Sequence, residues 1–341
     1  MKNWITLLFT LALVTACASP GDPTGAEASK RGRVDSKNTQ NIADKKQVYI
    51  GDFRVSFILR DKDGTTAKNS MFDRRADKGD YAKSFMSARL TGVSEDVFQQ
   101  ITDQAYEDFR QRLAASGYTV LNRSGLEASK AWNKVSKEES PNPPYAKAFD
   151  NSTSSKLMKG VLGVGNVDTI TFAPSSMEMV KASSAMMFPY QYGVASEEVG
   201  KPLVSAHYTV HFAWFGGESD VTMNYLTNER EMSAETTMGQ GIQVIPGAAV
   251  VFTLDQGGTF SKSGYVSLKD AVVVAGAYGV NEDTTSGATK AVNALSSTLG
   301  FFSGKTTSSK EISVKATPAY YKQGVLRALS EANGRLLKEL P

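Results

Sequence analysis

The sequence predicts an α+β fold, a mixed sheet with flanking helices that has a βαβ-like start, a β-rich middle and a C-terminal helix. Three segments carry this prediction: strand-like alternation over 47–59, helical periodicity over 95–113, and a long β-type segment over 204–214. Hydrophobic residues make up 41% of the 341 residues and charged residues 21%. This apolar content is sufficient for a substantial core.

The first strand is predicted where apolar residues alternate with polar ones over 53–57. Asp61-Lys62-Asp63-Gly64 has turn chemistry, so we expect the strand to close there and a polar loop to follow to Asp80.

The clearest helix begins after Ser94, which stands at an N-cap position before Glu95 and Asp96. Gly117 stands at the C-cap, and a short strand is predicted over 118–121. The apolar residues that recur at helical spacing are Val97, Phe98, Ile101, Ala105, Phe109 and Leu113.

The middle of the chain reads as strands. One is predicted over 167–172, and alternation over 204–214 places His207 and His211 together on the polar face of another. Further β segments are predicted at 241–254 and 264–280, joined by a hairpin-like turn at 255–258. The opposite, apolar face of 204–214 consists of Val204, Ala206, Tyr208, Val210, Phe212 and Trp214.

Two helices are predicted toward the C-terminus. A softer one runs from about 287 to 302, and the last one follows Pro318. The apolar stripe of the first is Ala288, Val292, Leu295, Leu299 and Phe302, and that of the second is Val325, Leu326, Leu329, Leu336, Leu337 and Leu340.

The N-terminus predicts export and lipidation. Lys2 precedes a short apolar region, Ile5–Val14, and small residues lead to Cys17, the sole cysteine. This arrangement resembles the lipobox of bacterial lipoproteins, which implies that Cys17 is lipidated and anchors the chain to the lipid membrane. An ordinary signal peptide is the alternative. Because Asp, the usual inner-membrane retention signal, is absent after the cysteine, the resemblance favours the periplasmic face of an outer membrane.

The predicted domain organisation follows from these segments. Residues 1–16 are a lipoprotein signal peptide, 17–45 a lipidated flexible linker, and 46–341 a periplasmic α+β body. The body divides into possible subdomains at 46–160 and 161–341.

The sequence offers no convincing catalytic set, cofactor motif or metal site. Gly304-Lys305-Thr306 lacks the earlier glycine of a phosphate-binding loop, so a turn after a helix is favoured there. Gly163–Asp168 matches half of a dinucleotide fingerprint. On a strand, His207 and His211 are about 13 Å apart, too far for one metal ion. Asp61 and Asp63 lack the rest of a calcium loop. A net charge of +3 gives no basis for nucleic-acid binding.

One local pattern resembles a known family. After the predicted strand and long helix, Leu121, Arg123, Gly125 and Leu126 match a Leu-x-Arg strand end followed by Gly-Leu, which is similar to the periplasmic core of the curli-secretion (CsgG-like) outer-membrane lipoproteins. The resemblance implies a lipidated subunit that oligomerises and exports or assembles extracellular protein.

The sequence therefore leads us to expect a non-enzymatic outer-membrane lipoprotein facing the periplasm, with protein partners at the cell envelope and copies of itself. His207, Thr209 and His211 are the predicted partner-contact face. The alternatives are a monomeric lipid-tethered binding or scaffold protein without a pore, and a periplasmic hydrolase or nucleotide-handling protein built on Gly304-Lys305-Thr306.

Overall fold

The computed structural model describes residues 32–68, 81–138, 140–141, 168–181, 190–224, 229–254, 263–274, 276, 278–284, 290–292, 304–306 and 309–341. The helices are α1 (Glu95–Ala115), α2 (Ser124–Glu127), α3 (Tyr190–Val199) and α4 (Pro318–Lys338). The strands are β1 (Val34–Lys37), β2 (Gln47–Lys68), β3 (Tyr81–Thr91), β4 (Thr119–Val120), β5 (Lys137–Glu138), β6 (Asp168–Phe172), β7 (Met179–Val180), β8 (Leu203–Asn224), β9 (Glu229–Val244), β10 (Ala249–Thr253), β11 (Gly264–Leu268), β12 (Val272–Val274), β13 (Gly279–Asp283), β14 (Lys290–Val292), β15 (Gly304–Thr306) and β16 (Ser309–Ala316).

Fourteen of the described strands form one mixed sheet, with the main order β1-β11-β10-β8-β2-β3-β16-β13-β14. Its centre is the parallel pair of β2 and β8, with Phe53 opposite Ala206 and Phe57 opposite Val210. Among the described strands, β5 and β7 form a separate two-stranded sheet. The predicted α+β fold, with a mixed sheet, flanking helices and a C-terminal helix, is confirmed.

Helices α1 and α4 cover one face of the sheet. Phe53 of β2 lies 5.6 Å from Phe109 of α1, and Phe98 of α1 lies 6.0 Å from Tyr321 of α4, measured between ring centroids. The apolar stripe predicted for α1 lies mostly in the core, since Phe98, Ile101, Ala105, Phe109 and Leu113 are all buried. Burial of these side chains supplies the main favourable term for folding.

Helix α1 ends in a Schellman motif. Gly117 has φ +86°, its N–H donates to the carbonyl of Ala114, and the Tyr118 N–H donates to the carbonyl of Leu113. Glycine adopts this left-handed conformation without steric cost, so the predicted helix end is confirmed, with Ser116 as the C-cap residue and Gly117 directly after it. At the other end Ser94 is the N-cap residue, with no side-chain capping hydrogen bond in the structure.

Two long hairpins grow out of the sheet centre. Beyond the Phe57–Val210 pair, β2 continues to Lys68 paired with β3, and β8 continues to Asn224 paired with β9. Strands β3 and β9 touch, because the Thr236 hydroxyl donates to the carbonyl of Ser84 at 3.1 Å. In the part of the chain that the structure describes, no helix has both the length and the hydrophobicity needed to cross a membrane.

The structure corrects four local predictions. The turn predicted at Asp61–Gly64 is wrong, because β2 runs through it and Gly64 pairs with Phe85. The helix predicted from about 287 is wrong at Lys290–Val292, which form β14 and pair with β13; residues 287–289 and 293–302 lie outside the described residues. The segments 241–254 and 264–280 are split among five strands, β9 to β13. Their hairpin is confirmed, since Val250 pairs with Val266, but its turn at 255–258 is not described.

The folded body begins before residue 46. Val34–Lys37 form β1, which pairs with β11, and Ile42 is buried in the core, so the predicted linker is wrong over 34–42. Strands from both sides of residue 160 share the sheet, because β2 pairs with β6 and β8. The two possible subdomains thus contribute to one sheet.

Candidate functional site

The face of β2 and β8 turned away from α1 carries a buried ionic cluster of Asp52, Arg54 and His207, which we call the Asp52 cluster. Asp52 Oδ2 accepts hydrogen bonds from Arg54 Nε at 3.0 Å and from Arg54 Nη2, and it lies 2.6 Å from His207 Nε2. Asp52 is 1% exposed and Arg54 6%. The pairing register of β2 and β8 brings these three side chains together. His207 is the partner of Arg54, and Ser205, two residues earlier on β8, is the partner of Asp52.

The charge of Asp52 is held by its neighbours. Burial alone would raise the pKa of this carboxyl, but the Arg54 guanidinium and His207 outweigh burial through charge and hydrogen bonds and lower it from 3.8 to about 2. The carboxylate therefore remains ionised at neutral pH, as a buried charge can when it is paired and hydrogen-bonded.

A second His–Asp pair lies further along the same two strands, and we call it the Asp61 pair. His211 Nε2 lies 2.9 Å from Asp61 Oδ2, and the Ala213 N–H donates to His211 Nδ1 at 2.9 Å. Because Nδ1 accepts a hydrogen bond, this arrangement assigns the ring proton to Nε2, which donates to the carboxylate. The side chains of His211 and Asp61 are only 3% and 6% exposed.

The predicted partner-contact residues have different accessibilities. Both histidines lie on the polar face, as alternation predicted, and five of the six residues predicted for the apolar face, all but Trp214, are buried. His207 keeps 38% of its side chain exposed and Thr209 is half-buried, whereas His211 is buried against Asp61. His207 and Thr209 are thus the accessible members, and the partner-contact role stays a prediction.

Arg123 from the Leu-x-Arg pattern supports the strand that carries Asp52. Its Nη1 donates to the carbonyls of Ile50 and Gly51 at 3.0 and 3.3 Å, where the β2 register against β8 shifts by one residue. Its guanidinium also lies 5.3 Å from the ring centroid of Trp132. The pattern therefore fixes a β-bulge next to the Asp52 cluster.

The other residues of the pattern shape a small second core beside this bulge. Leu126 is buried there with Trp132 and Tyr192, whose rings are 5.2 Å apart. A Cβ at Gly125 would lie 2.3 Å from the hydroxyl of Tyr49, so any larger residue there requires the Tyr49 side chain to move. Burial, reinforced by the charge of Asp52, raises the pKa of Tyr192 well above its ordinary value.

The described contacts of these groups are made within the sheet. Oδ2 of Asp52 is shared between a guanidinium and an imidazole, and the described hydrogen bonds of both histidines go to aspartates and to one backbone N–H. Within the described residues, no three His, Cys, Asp or Glu side chains gather closely enough to hold a metal ion. The cluster is therefore suited to fixing strand register and to presenting the outer edge of His207.

Other predicted positions are placed as follows. Gly304–Thr306 form β15, which pairs with Thr236–Met238 of β9, so the turn favoured there is wrong. Asp168 begins β6, while Gly163–Val167 of the half fingerprint lie outside the described residues. Cys17, with the whole lipobox, also lies outside them, and its lipidation stays a prediction.

Asp52 was missed as a site residue when only the sequence was considered. It lies 155 positions from His207, and no local spacing connects them. No protein-family model, no curated protein and no solved structure matches this chain.

Proposed function

We propose that this chain is an outer-membrane-anchored lipoprotein that faces the periplasm and acts, without catalysis, in the assembly or secretion of cell-surface structures. It works as a subunit that joins other copies of itself. The lipobox-like segment ending in Cys17 supports the anchor, and the Leu-x-Arg pattern supports the resemblance to curli-secretion (CsgG-like) lipoproteins.

The observation that carries the proposal is the pair of long hairpins. From His211 to Asn224, β8 pairs only with β9 among the described strands, and from Asp61 to Lys68, β2 pairs only with β3. The β8 stretch spans about 45 Å at the rise of an extended strand. The side of such a hairpin on which no further described strand pairs is a template for another chain.

The β8 stretch of this edge carries Glu218, Asp220 and a bulge between His211 and Ala213, but it lacks the two strongest obstacles to strand addition. Residues 211–224 contain no proline and no lysine, two common devices against strand addition. A short polar or basic edge would suit a monomer, whereas a long edge free of these devices suits a subunit. This difference favours the oligomer over the monomeric binding protein.

The first experiment is the mass of the detergent-extracted, lipidated protein, measured by light scattering with the detergent contribution subtracted. We expect a discrete assembly of several copies. A monomer at all concentrations tested would overturn the subunit proposal and leave a lipid-tethered binding protein.

The second experiment shortens each hairpin without disturbing the sheet centre. Replacing residues 219–234 with Asn-Gly joins the register partners Glu218 and Glu235, and the same replacement of 66–83 joins Thr65 and Ser84. Asn-Gly favours the tight turn that fits antiparallel strands. Both variants should fold, with an unchanged circular dichroism spectrum per residue, but remain monomeric. Cells that carry them should lose surface protein like cells that lack the chain; full assembly by both would contradict the proposal.

A further inference from the structure

A cleft of about 510 Å³ lies beside the start of α1, between the loop that follows β6 and the β5–β7 pair. Ala173, Pro174, Met177 and Met179 supply its apolar lining, and Lys137 with Glu178 lies at its rim as an ion pair. This cleft is separate from the Asp52 cluster and from the hairpins.

The walls of the cleft are fixed by hydrogen bonds. The N–H and hydroxyl of Ser175 donate to the Asp103 carboxylate at 2.7 and 2.8 Å. Gln99 Nε2 donates to the carbonyl of Ala173 at 2.9 Å, and the Ala173 N–H donates to Ser140 Oγ at 3.1 Å. A ligand entering this cleft would meet a preorganised loop, which lowers the entropy cost of binding.

Two thioether side chains line the cleft. Met177 and Met179 are separated by one residue, line the same cleft, and are 8% and 1% exposed. They begin a methionine-rich stretch, since four of the chain's eleven methionines, including Met186 and Met187, fall within 177–187. Thioether sulfur is a soft ligand that selects soft cations such as Cu(I) over hard ones.

We propose that the cleft binds one soft monovalent cation, Cu(I) or Ag(I), through the sulfur atoms of Met177 and Met179. The two thioether sulfurs are the soft donors among the lining residues, while the Glu178 carboxylate between them is already paired with Lys137 at the rim. A thioether has no proton to lose, so binding here persists at acidic pH, whereas metal binding by imidazole weakens as the ring is protonated.

The test titrates the full-length, detergent-extracted protein with Ag(I), which is not oxidised by air, in chloride-free buffer by calorimetry at pH 7 and pH 5. We expect one ion per chain with similar affinity at both pH values. Loss of binding at pH 5 would overturn the thioether assignment, because it would indicate histidine ligands.

The variant Met177→Leu/Met179→Leu tests the two sulfurs, and Met186→Leu/Met187→Leu is the matched control. Since outer-shell changes alone weaken metal binding about 10- to 100-fold, loss of both ligands should weaken it by more than about 100-fold. The control should bind like the unaltered protein. Equal binding by the first pair, or loss in the control pair alone, would overturn the proposal. Circular dichroism of each variant establishes that it is folded, and the oligomer mass reports separately on the proposed function.

Discussion

Replacing Asp52 with asparagine tests the buried ionic cluster most directly. Asp52→Asn keeps the shape of the side chain but removes the charge that faces Arg54, which is 6% exposed. Removing one partner of a buried ion pair leaves an uncompensated charge and costs about 3–5 kcal/mol. The lowering of the carboxyl pKa from 3.8 to about 2 corresponds to about 2 kcal/mol of stabilisation of the ionised form. We therefore expect a loss of about 2–4 kcal/mol in the free energy of unfolding at pH 7.

The sign of the pH dependence follows from the lowered pKa. A carboxyl that ionises more easily when folded stabilises the protein fully above its unfolded pKa, and this stabilisation is lost as the pH falls through the folded pKa. The difference between the original protein and Asp52→Asn should stay constant from pH 7 to about 5 and shrink between about pH 5 and 2.

The assay is urea denaturation at a series of pH values, comparing midpoints at equal slope. Asp44→Asn is the matched control, because Asp44 is exposed and its substitution should change stability by less than about 0.5 kcal/mol. Equal stability of Asp52→Asn and the original protein at pH 7, or a difference that persists unchanged at pH 2, would refute the reasoning.

Three further predictions concern other parts of the chain. Gly92→Ala should lower the denaturant midpoint more than Gly117→Ala does. Both positions have a positive φ, which costs alanine about 1 kcal/mol, but only at Gly92 would the Cβ also meet a backbone atom, Ala316 O at 2.6 Å. Equal decreases in the midpoint would contradict this. Asn333→Ala should lower stability by about 1–3 kcal/mol, because it removes the 2.7 Å hydrogen bond from buried Nδ2 to Asp108 that joins α4 to α1; an unchanged urea midpoint would exclude that contribution. Cys17→Ser should abolish the acyl modification seen by mass spectrometry and move the protein from the membrane to the soluble fraction; membrane retention without acyl chains would contradict the lipid anchor.

Sequence periodicity predicted the elements whose signals are local. Helix α1 was predictable because each signal lies next to the feature it specifies. Ser94 lies at the start of the helix, the 3.6-residue apolar repeat lies within it, and Gly117 lies just after its end. The extension of β2 past Asp61 was not predictable from local sequence. The turn chemistry of Asp61–Gly64 is overridden by pairing with β3, which lies some twenty residues later in the chain. Pairing with β13 likewise overrides the helical spacing at Lys290–Val292.

The candidate site was only partly predictable, and the reason is physical. Alternation places His207 and His211 on the polar face of β8, since successive side chains on a strand point to opposite faces. It carries no information on which strand lies alongside, and the parallel neighbour β2 supplies both aspartates. Burial of His211 and partial exposure of His207 therefore follow from the sheet order, which local spacing does not encode.

The two His–Asp pairs mark the place where the sheet changes partners. The Asp52 cluster lies where β2 and β8 still pair, and the Asp61 pair lies just beyond Phe57 and Val210, where each strand turns to its own hairpin. Side chains satisfy backbone groups at this boundary, since the Tyr278 hydroxyl donates to the carbonyl of Phe212 and Gln243 Nε2 donates to that of Ala213. A buried imidazole–carboxylate bond across the start of the split keeps the two hairpins at a fixed spacing. The two hairpins thus begin at a polar contact and not at an apolar one, because the His211–Asp61 hydrogen bond lies where β2 and β8 separate.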